Sequence, residues 1–210
     1  METDKTLTNK TLSDRLAHAA VDRGKIIIGL VAVFWAVEII DTIALSNRLE
    51  AQGIQPRSLR GLDGILWSPF LHGGFGHLIA NTIPFIMLAA FTLVLGVRRF
   101  VQGSLIIIVV GGFAVWLLAI GSNENHVGAS GWIFGLFGLL VANGVFERKV
   151  RSIALALVAL ALYGTSFAFG LVPTPGRSWE GHLFGLLAGV FAGWLLTRRS
   201  EAPAVETTSL

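Results

Sequence analysis

The chain has no cysteine, and this absence excludes disulfide bonds, thiolate nucleophiles and zinc–thiolate sites. It also has little charge: 14% of its residues are Asp, Glu, Lys or Arg, against about a quarter in an average soluble domain. Hydrophobic residues make up 53% of the chain, and the mean hydropathy is +0.70. Because the few charges lie between long apolar runs, the composition predicts a membrane protein rather than a soluble one.

Six apolar stretches approach the length of about 20 residues that is needed to span the hydrocarbon core. They cover residues 26–45, 77–97, 100–120, 127–146, 153–169 and 181–196. We therefore expect an all-α membrane protein with six transmembrane helices, without internal repeats or a second domain. Residues 25–197 form the membrane domain in this interpretation. Residues 1–24 and 198–210 are polar tails, and no secretory signal peptide is evident.

The Lys and Arg residues predict the orientation of these spans. Twelve of the sixteen lie in the tails or in the connections between spans two and three and between spans four and five. The remaining four, Arg48, Arg57, Arg60 and Arg177, lie in the other connections. Since Lys and Arg concentrate on the cytoplasmic side, both termini are predicted to be cytoplasmic. The net charge of +3 is explained by this topology better than by nucleic-acid binding.

Four polar side chains lie near the outer ends of spans two, four and six. Ser130 follows Gly128 in a run of small residues, His182 begins the sixth span, and His77 and Asn81 begin the second. All three spans start from the outer face in the predicted topology, so the four side chains share one leaflet. We interpret this coincidence as a single site inside the membrane.

Ser130 and His182 are candidates for nucleophilic catalysis. A serine hydroxyl is a weak nucleophile unless a base accepts its proton, and an imidazole can do so. After His182, glycine recurs every four residues to Gly193, which would let the sixth span approach the small residues of the fourth. The alternative for both polar residues is structural: close helix packing, with Ser130 bonding a backbone carbonyl and His182 bonding a neighbouring helix.

His77 and Asn81 are four residues apart and therefore lie on one face of a helix. Both can donate hydrogen bonds to a developing negative oxygen, as acyl transfer requires. Hydrogen bonding between helices is the alternative for this pair.

In this order on spans two, four and six, three motifs resemble those of the rhomboid intramembrane serine proteases. They are His77-x-x-x-Asn81, Gly128-x-Ser130-Gly131 and Gly181-His182-x-x-Gly185. The resemblance implies a six-helix rhomboid bundle in which Ser130 is the nucleophile and His182 is the general base and acid. It also implies an oxyanion site formed by His77, Asn81 and the Ser130 backbone N–H, with other membrane proteins as substrates.

Two departures from the family pattern stand out. Phe134 occupies a position where the family often has a tyrosine that stacks on the catalytic histidine. Stacking should survive, whereas a phenolic hydrogen bond could not form. The long first loop, residues 46–76, also lacks the Trp-Arg pair of some members, and its mixture of prolines and apolar residues predicts a loop resting partly in the membrane interface.

Five other polar residues are assigned no catalytic role. His72 is interpreted as support for the first loop or the oxyanion site, and His126 is expected to lie in solvent. Glu180 is expected at a helix N-terminus, where its charge is favourable. Glu38 and Asp41, late in the first span, are expected to pack against the first loop. We expect no cofactor and no metal.

Two other functions are alternatives to the protease. A proteolytically inactive rhomboid-like protein that binds client helices would typically lack the serine or the histidine, and both are present here. A small transporter would be expected to contain repeats, and none is found. The expected location is a bacterial plasma membrane, and the partners are the lipid bilayer and substrates with transmembrane segments. The oligomeric state stays open.

Overall fold

The computed structural model describes residues 2–120, 125–174 and 176–201, which are all-helical apart from loops and one isolated β-bridge. The all-α membrane class is therefore confirmed. Among these described residues, five regions are long and apolar enough to cross a membrane, and a sixth apolar helix of 17 residues is shorter. The six long helices are α1 (Glu2–Ile40), α2 (Phe75–Leu95), α3 (Val97–Leu118), α4 (Ser130–Phe146), α5 (Val150–Gly170) and α6 (Trp179–Glu201).

The first helix, α1, runs from the polar N-terminal region into the first apolar stretch without a break. No proline interrupts residues 2–40, so nothing in the sequence forces the helix to stop where its polarity changes. It ends in a π-helical turn, Asp41–Leu45, followed by Ser46 in the left-handed conformation with φ +53°.

The central helix of the bundle is α4. Residues 132–140 are all buried, which is the burial expected of a helix that is hydrophobic on every side. Around Trp132, the rings of Phe34, Phe70, Phe85 and Phe100 lie with centroids 4.9–6.3 Å away. Because these rings come from α1, the first loop, α2 and α3, this cluster holds the half of α4 that begins at Ser130 in place laterally.

The first loop is anchored on the end of α3. The backbone N–H of Arg57 donates to the Trp116 carbonyl at 2.8 Å, and the Trp116 indole donates to the Ser58 carbonyl at 2.8 Å. The loop also contacts α1, since the Asp41 carboxylate accepts a hydrogen bond from the backbone N–H of Leu49 at 2.9 Å. The expectation that Asp41 packs against this loop is therefore confirmed.

An ion-pair cluster around Glu147 joins the other ends of the helices. Glu147, after α4, pairs with Arg99 of α3 at 2.7 Å and with Lys149 at 2.8 Å, and it accepts a hydrogen bond from Ser152 at 2.6 Å. Burial alone would raise the pKa of Glu147, but these three partners together lower it to about 2. The cluster connects the α2–α3 and α4–α5 turns, so these two turns lie at the same end of the bundle.

Candidate active site

The site is built on the contact between α4 and α6, which the glycines make unusually close. A Cβ atom on Gly185 would lie 2.1 Å from the Gly131 carbonyl oxygen, and one on Gly189 would lie 1.9 Å from that of Gly135. No larger residue fits at either position without moving the helices apart. The glycine stripe that the sequence places on the sixth span is therefore the surface that packs on the fourth.

His182 is held in one orientation by two contacts. Its ring stacks on Phe134, with centroids 4.2 Å apart and an angle of 2° between the planes. Its Nδ1 atom lies 2.8 Å from the Gly170 carbonyl oxygen at the end of α5. A carbonyl oxygen only accepts, so Nδ1 carries the proton and Nε2 of the neutral ring is left as an acceptor.

Ser130 is the first residue of α4, where the backbone N–H groups have no partner within the helix. It lines an open cavity of about 560 Å³ together with His182, His77 and Asn81. Within residues 2–120, 125–174 and 176–201, the Ser130 hydroxyl makes no hydrogen bond, to His182 or to another side chain. Catalytic hydrogen bonds are often long in free enzymes and shorten when substrate binds.

His77 has the opposite tautomer to His182. The backbone N–H of Gly73 donates to Nδ1 of His77 at 3.3 Å, so Nε2 of the neutral ring carries the proton. This Nε2 lies beside Gly128: a Cβ atom on Gly128, whose φ is +112°, would be 2.7 Å away. The same Cβ would be 3.6 Å from Nδ2 of Asn81, so both donors converge on the segment that precedes Ser130.

Asn81 is buried, and its Nδ2 donates to the His77 carbonyl at 3.1 Å. An amide nitrogen has two hydrogens, so one remains for a second acceptor. The hydrogen bond holds the Asn81 side chain against its own helix one turn back. Asn81 is therefore oriented before any ligand arrives.

His72 packs directly on His77. It is 1% exposed, and its ring lies edge-on to that of His77 with centroids 5.4 Å apart. Burial, followed by the nearby His77, lowers the pKa of His72 to about 4, so His72 is neutral at neutral pH. This position agrees with the interpretation of His72 as support for the first loop or the oxyanion site.

A family model, the rhomboid domain, matches residues 60–199. The chain belongs to the rhomboid family. An uncharacterized protein of Mycobacterium tuberculosis is 40% identical to it over 83% of this chain and 75% of the relative. RHOMBOID-like protein 5 of Arabidopsis thaliana is 31% identical over 75% of this chain and 49% of the relative. YdcA of Bacillus subtilis, provisionally named a rhomboid protease, is 30% identical over 62% of this chain and 65% of the relative.

Membership confirms the resemblance given by the three motifs. Rhomboid proteins are generally intramembrane serine proteases, and this chain is a multi-pass integral membrane protein with bacterial relatives. The family's aromatic stacking partner is Phe134 in this member, and the stack continues to Phe167 of α5 at 4.2 Å. The expectation that stacking survives without a tyrosine is therefore confirmed.

One expectation about the rhomboid site was wrong. His126 is not in solvent: it is 4% exposed, forms a β-bridge with Ile54, and has Nδ1 beside the Ser178 hydroxyl at 2.5 Å. The polar sequence around it suggested a solvated loop, but the first loop folds over this segment and covers it. The bridge and the Ser178 contact hold the loop before Ser130 against both the first loop and the start of α6.

A second, smaller cavity also reaches Ser130. It has a volume of about 50 Å³, and its polar lining includes Ser68, His126 and Ser178. A cavity needs roughly 10–15 Å³ and two or more polar partners to hold a water molecule. The space therefore suits ordered water beside the serine.

Sequence reasoning missed two backbone groups of this site. The Gly170 carbonyl and the Gly73 N–H set the tautomers of His182 and His77, and main-chain groups carry no signature in a sequence. Glu180 lies in the first turn of α6, as expected, and is buried. In the described residues, no group of three or more His, Asp or Glu side chains is arranged to bind a metal ion.

Proposed function

We propose that this chain is an intramembrane serine endopeptidase that hydrolyses peptide bonds within or beside transmembrane segments of other membrane proteins. The observation that carries the proposal is the convergence of Ser130, His182, His77 and Asn81 on one cavity, with complementary tautomers on the two histidines. Nε2 of His182 is free to accept a proton, and Nε2 of His77 is free to donate one.

In the first step, Nε2 of His182 takes the Ser130 proton while Oγ attacks the scissile carbonyl carbon. The carbonyl oxygen becomes an oxyanion, stabilised by donors from His77, Asn81 and the backbone N–H of Ser130. The positive end of the α4 dipole adds to this stabilisation because Ser130 is the first residue of the helix. Collapse of the intermediate breaks the C–N bond, and His182 gives its proton to the leaving amine.

Water then hydrolyses the acyl-enzyme by the same sequence in reverse. His182 accepts a proton from water as the water oxygen adds to the ester carbonyl carbon. The C–Oγ bond then breaks, and His182 returns the proton to Oγ, so that Ser130 leaves as the free hydroxyl. The 50 Å³ cavity beside Ser130 can supply this water. The substrate helix must unwind locally first, because a helical segment buries its carbonyls in hydrogen bonds. Substrates are therefore expected to carry helix-breaking residues near the cleaved bond.

The proposal includes six membrane spans, with both termini in the cytoplasm and residues 25–197 as the catalytic domain. Arg99 pairs with Glu147 at 2.7 Å, which supports a common side for the two connections that are rich in Lys and Arg. The shortest helix, α4, spans roughly 25 Å at 1.5 Å per residue, less than the roughly 30 Å of the hydrocarbon core. Its first residue, Ser130, would then lie below the membrane surface. Reporter fusions to each connection would test the orientation.

The experiment for the function compares two serines of the same cavity. Ser130→Ala should abolish cleavage of a reporter transmembrane substrate while the protein still folds and inserts. Ser166→Ala, on α5 in the wall of the same cavity, should retain cleavage. A serine-directed fluorophosphonate should label the wild type and Ser166→Ala but not Ser130→Ala or His182→Ala. Full cleavage by Ser130→Ala would remove Ser130 from the mechanism.

A further inference from the structure

Arg177 is a charged side chain of the large cavity that the proposed mechanism does not use. It lies in the connection between α5 and α6, and it lines the cavity together with Ser130 and His182. Among the described residues of this lining, it is the one Lys, Arg, Asp or Glu. No carboxylate of the cavity wall therefore neutralises this cation.

The backbone of Arg177 is held on both sides. Its N–H donates to the Thr174 carbonyl at 3.1 Å, and its carbonyl accepts a hydrogen bond from the backbone N–H of Trp179 at 2.8 Å. Trp179 is the first residue of α6, the helix that carries His182. The residue is thus tied to the start of the helix that holds the proposed catalytic base.

One hydrogen bond orients the Arg177 side chain. Nη1 donates to the Phe169 carbonyl at 3.1 Å, in the last turn of α5. Basic side chains are favourable at a helix C-terminus, so capping of α5 is one role for this residue. A guanidinium has five N–H donors, however, and this bond uses one of them. Within the described parts of the chain, Arg177 forms no ion pair, so four donors remain for a ligand.

The remaining donors suit a carboxylate. A guanidinium binds a carboxylate through two parallel N–H···O bonds, a geometry that lysine cannot reproduce. The cavity of about 560 Å³ accommodates only a short piece of unwound substrate. Since an extended chain rises roughly 3.3 Å per residue, a carboxylate that reaches Arg177 from this cavity lies within about three residues of the bond at Ser130.

We propose that Arg177 is a specificity-determining residue, which binds the carboxylate of a substrate Asp or Glu that lies within a few residues of the cleaved bond. The inference rests on the proposed function and names a feature of its substrates. A substrate lysine at the same position would be disfavoured, because two like charges would meet there.

Substrate variants test this preference. A reporter substrate receives a single Asp, in turn, at each of the three positions before and the three after the cleaved bond, with Asn at the same position as the neutral comparison. At one or more positions, kcat/KM should be about 5-fold higher with Asp, the upper range for an exposed ion pair. The preference should shrink at high salt, since the Arg177 side chain is exposed. Equal kcat/KM for Asp and Asn at every position would overturn the proposal.

Variants of Arg177 separate substrate recognition from helix capping. Arg177→Gln should remove the preference for Asp over Asn, Arg177→Lys should keep part of it, and Arg177→Glu should favour a substrate lysine instead. If Arg177 only caps α5, its variants would lower the cleavage of all substrates by the same factor. An unchanged Asp-to-Asn ratio in Arg177→Gln would therefore rule out the contact.

Arg60→Gln is the matched control. Arg60 is exposed, lies in a connection on the same side as Arg177 in the predicted topology, and is not part of the cavity lining. Its substitution changes the net charge by the same amount and should leave the preference for Asp in place. Loss of the preference in Arg60→Gln as well would mean that overall charge sets it, and the assignment to Arg177 would be wrong.

Binding to an inactive variant separates this inference from the proposed function. If the wild type cleaves no reporter, the protease proposal fails. A fluorescent substrate segment with Asp should still bind Ser130→Ala in detergent about 5-fold more tightly than its Asn form, measured by anisotropy. Adding Arg177→Gln to Ser130→Ala should abolish this difference. Equal binding of the two segments to Ser130→Ala would overturn the role of Arg177, whether or not the wild type is a protease.

Discussion

The two helices that flank α4 near the site, α6 and α5, pack on it in different ways. Along α6, a residue is buried at every turn from His182 to Thr197, and the glycines bring its backbone against that of α4. Along α5, Ser152, Ala156 and Ala159 are buried near one end and Phe167 near the other, with no buried residue between Ala159 and Phe167. One neighbour is fixed along its length, whereas the other is held mainly at its ends.

The difference matches the parts that the two helices contribute to the site. The α6 helix carries His182, and in the proposed mechanism its distance from Ser130 must be held to a fraction of an ångström. The α5 helix contributes the Gly170 carbonyl and the wall formed by Ser166 and Phe167, opposite Ala80 of α2. A loosely packed element with few buried contacts opens at low free energy. We therefore expect substrate to reach Ser130 between α2 and α5.

The largest effect is expected from a larger residue in the interface between α4 and α6. In Gly189→Ala the new Cβ would lie 1.9 Å from the Gly135 carbonyl oxygen, so α4 and α6 must move apart. We expect the free energy of unfolding to fall by about 3 kcal/mol or more, with loss of fluorophosphonate labelling. Thermal unfolding in detergent and labelling of Ser130 would measure both.

The matched substitution on the loosely packed helix is Gly164→Ala. The nearest atom to its Cβ would be Cδ2 of Leu160 at 3.9 Å, an ordinary contact. The same chemical change should therefore not lower the free energy of unfolding there. Equal damage from the two substitutions would contradict the distinction between the two helices.

The next largest effect is expected from the aromatic stack, in which Phe134 of α4 lies between a ring of α6 and a ring of α5. Phe134 lies between His182 and Phe167, with centroids 4.2 Å from each. Phe134→Leu removes the flat surface under the imidazole, and we expect kcat to fall about 10-fold as His182 gains other orientations. Initial rates on a reporter substrate, normalised to folded protein, would measure it.

Phe137→Leu is the control for the stack. Phe137 also packs on Phe167, with centroids 4.9 Å apart, and among the described residues it has no ring contact with His182. Both variants should lose similar stability, but only Phe134→Leu should lose kcat. If kcat falls equally in Phe134→Leu and Phe137→Leu, the stack stabilises the fold and does not specifically orient His182.

The packing of α6 on α4 could largely be predicted from the sequence. The contacts that orient the side chains at this interface could not. Glycine recurs every four residues at positions 181, 185, 189 and 193, so the sequence alone predicts that α6 packs closely on another helix. The tautomer of His182 depends on the Gly170 carbonyl, and a main-chain acceptor leaves no residue-type signal. The burial of His126 depends on a bridge to Ile54, 72 residues earlier, and such a long-range contact has no local pattern.

The turn between α4 and α5, which holds Glu147, gives a pH-dependent prediction. Glu147 has a folded pKa of about 2, below its ordinary value of 4.5, because Lys149, Ser152 and Arg99 outweigh the effect of burial. Its contribution to stability is therefore complete above pH 4.5 and is lost as the pH falls from 4.5 toward 2. We expect Glu147→Gln to lower the free energy of unfolding by on the order of 2 kcal/mol at pH 7.

The control for this cluster is its exposed member. The Lys149 side chain is 69% exposed, so Lys149→Ala should change stability by less than about 1 kcal/mol. Unfolding of the three proteins between pH 7 and pH 3 would show the Glu147→Gln difference shrinking toward the acid end. A difference that is constant with pH would mean that packing, and not charge, sets the contribution of Glu147.

The smallest effect is expected from Gly164→Ala itself, and its sign is informative. A glycine inside a helix lowers stability by about 0.5–1 kcal/mol relative to alanine, because the unfolded chain has more freedom to lose. Gly164 lies in the stretch of α5 that has no buried residue, so alanine should raise the thermal midpoint slightly. If flexibility of this stretch admits the substrate, the same variant should cleave a transmembrane substrate more slowly while reacting normally with a small fluorophosphonate. Unchanged cleavage in the more stable variant would indicate that α5 moves as a rigid body about its two held ends.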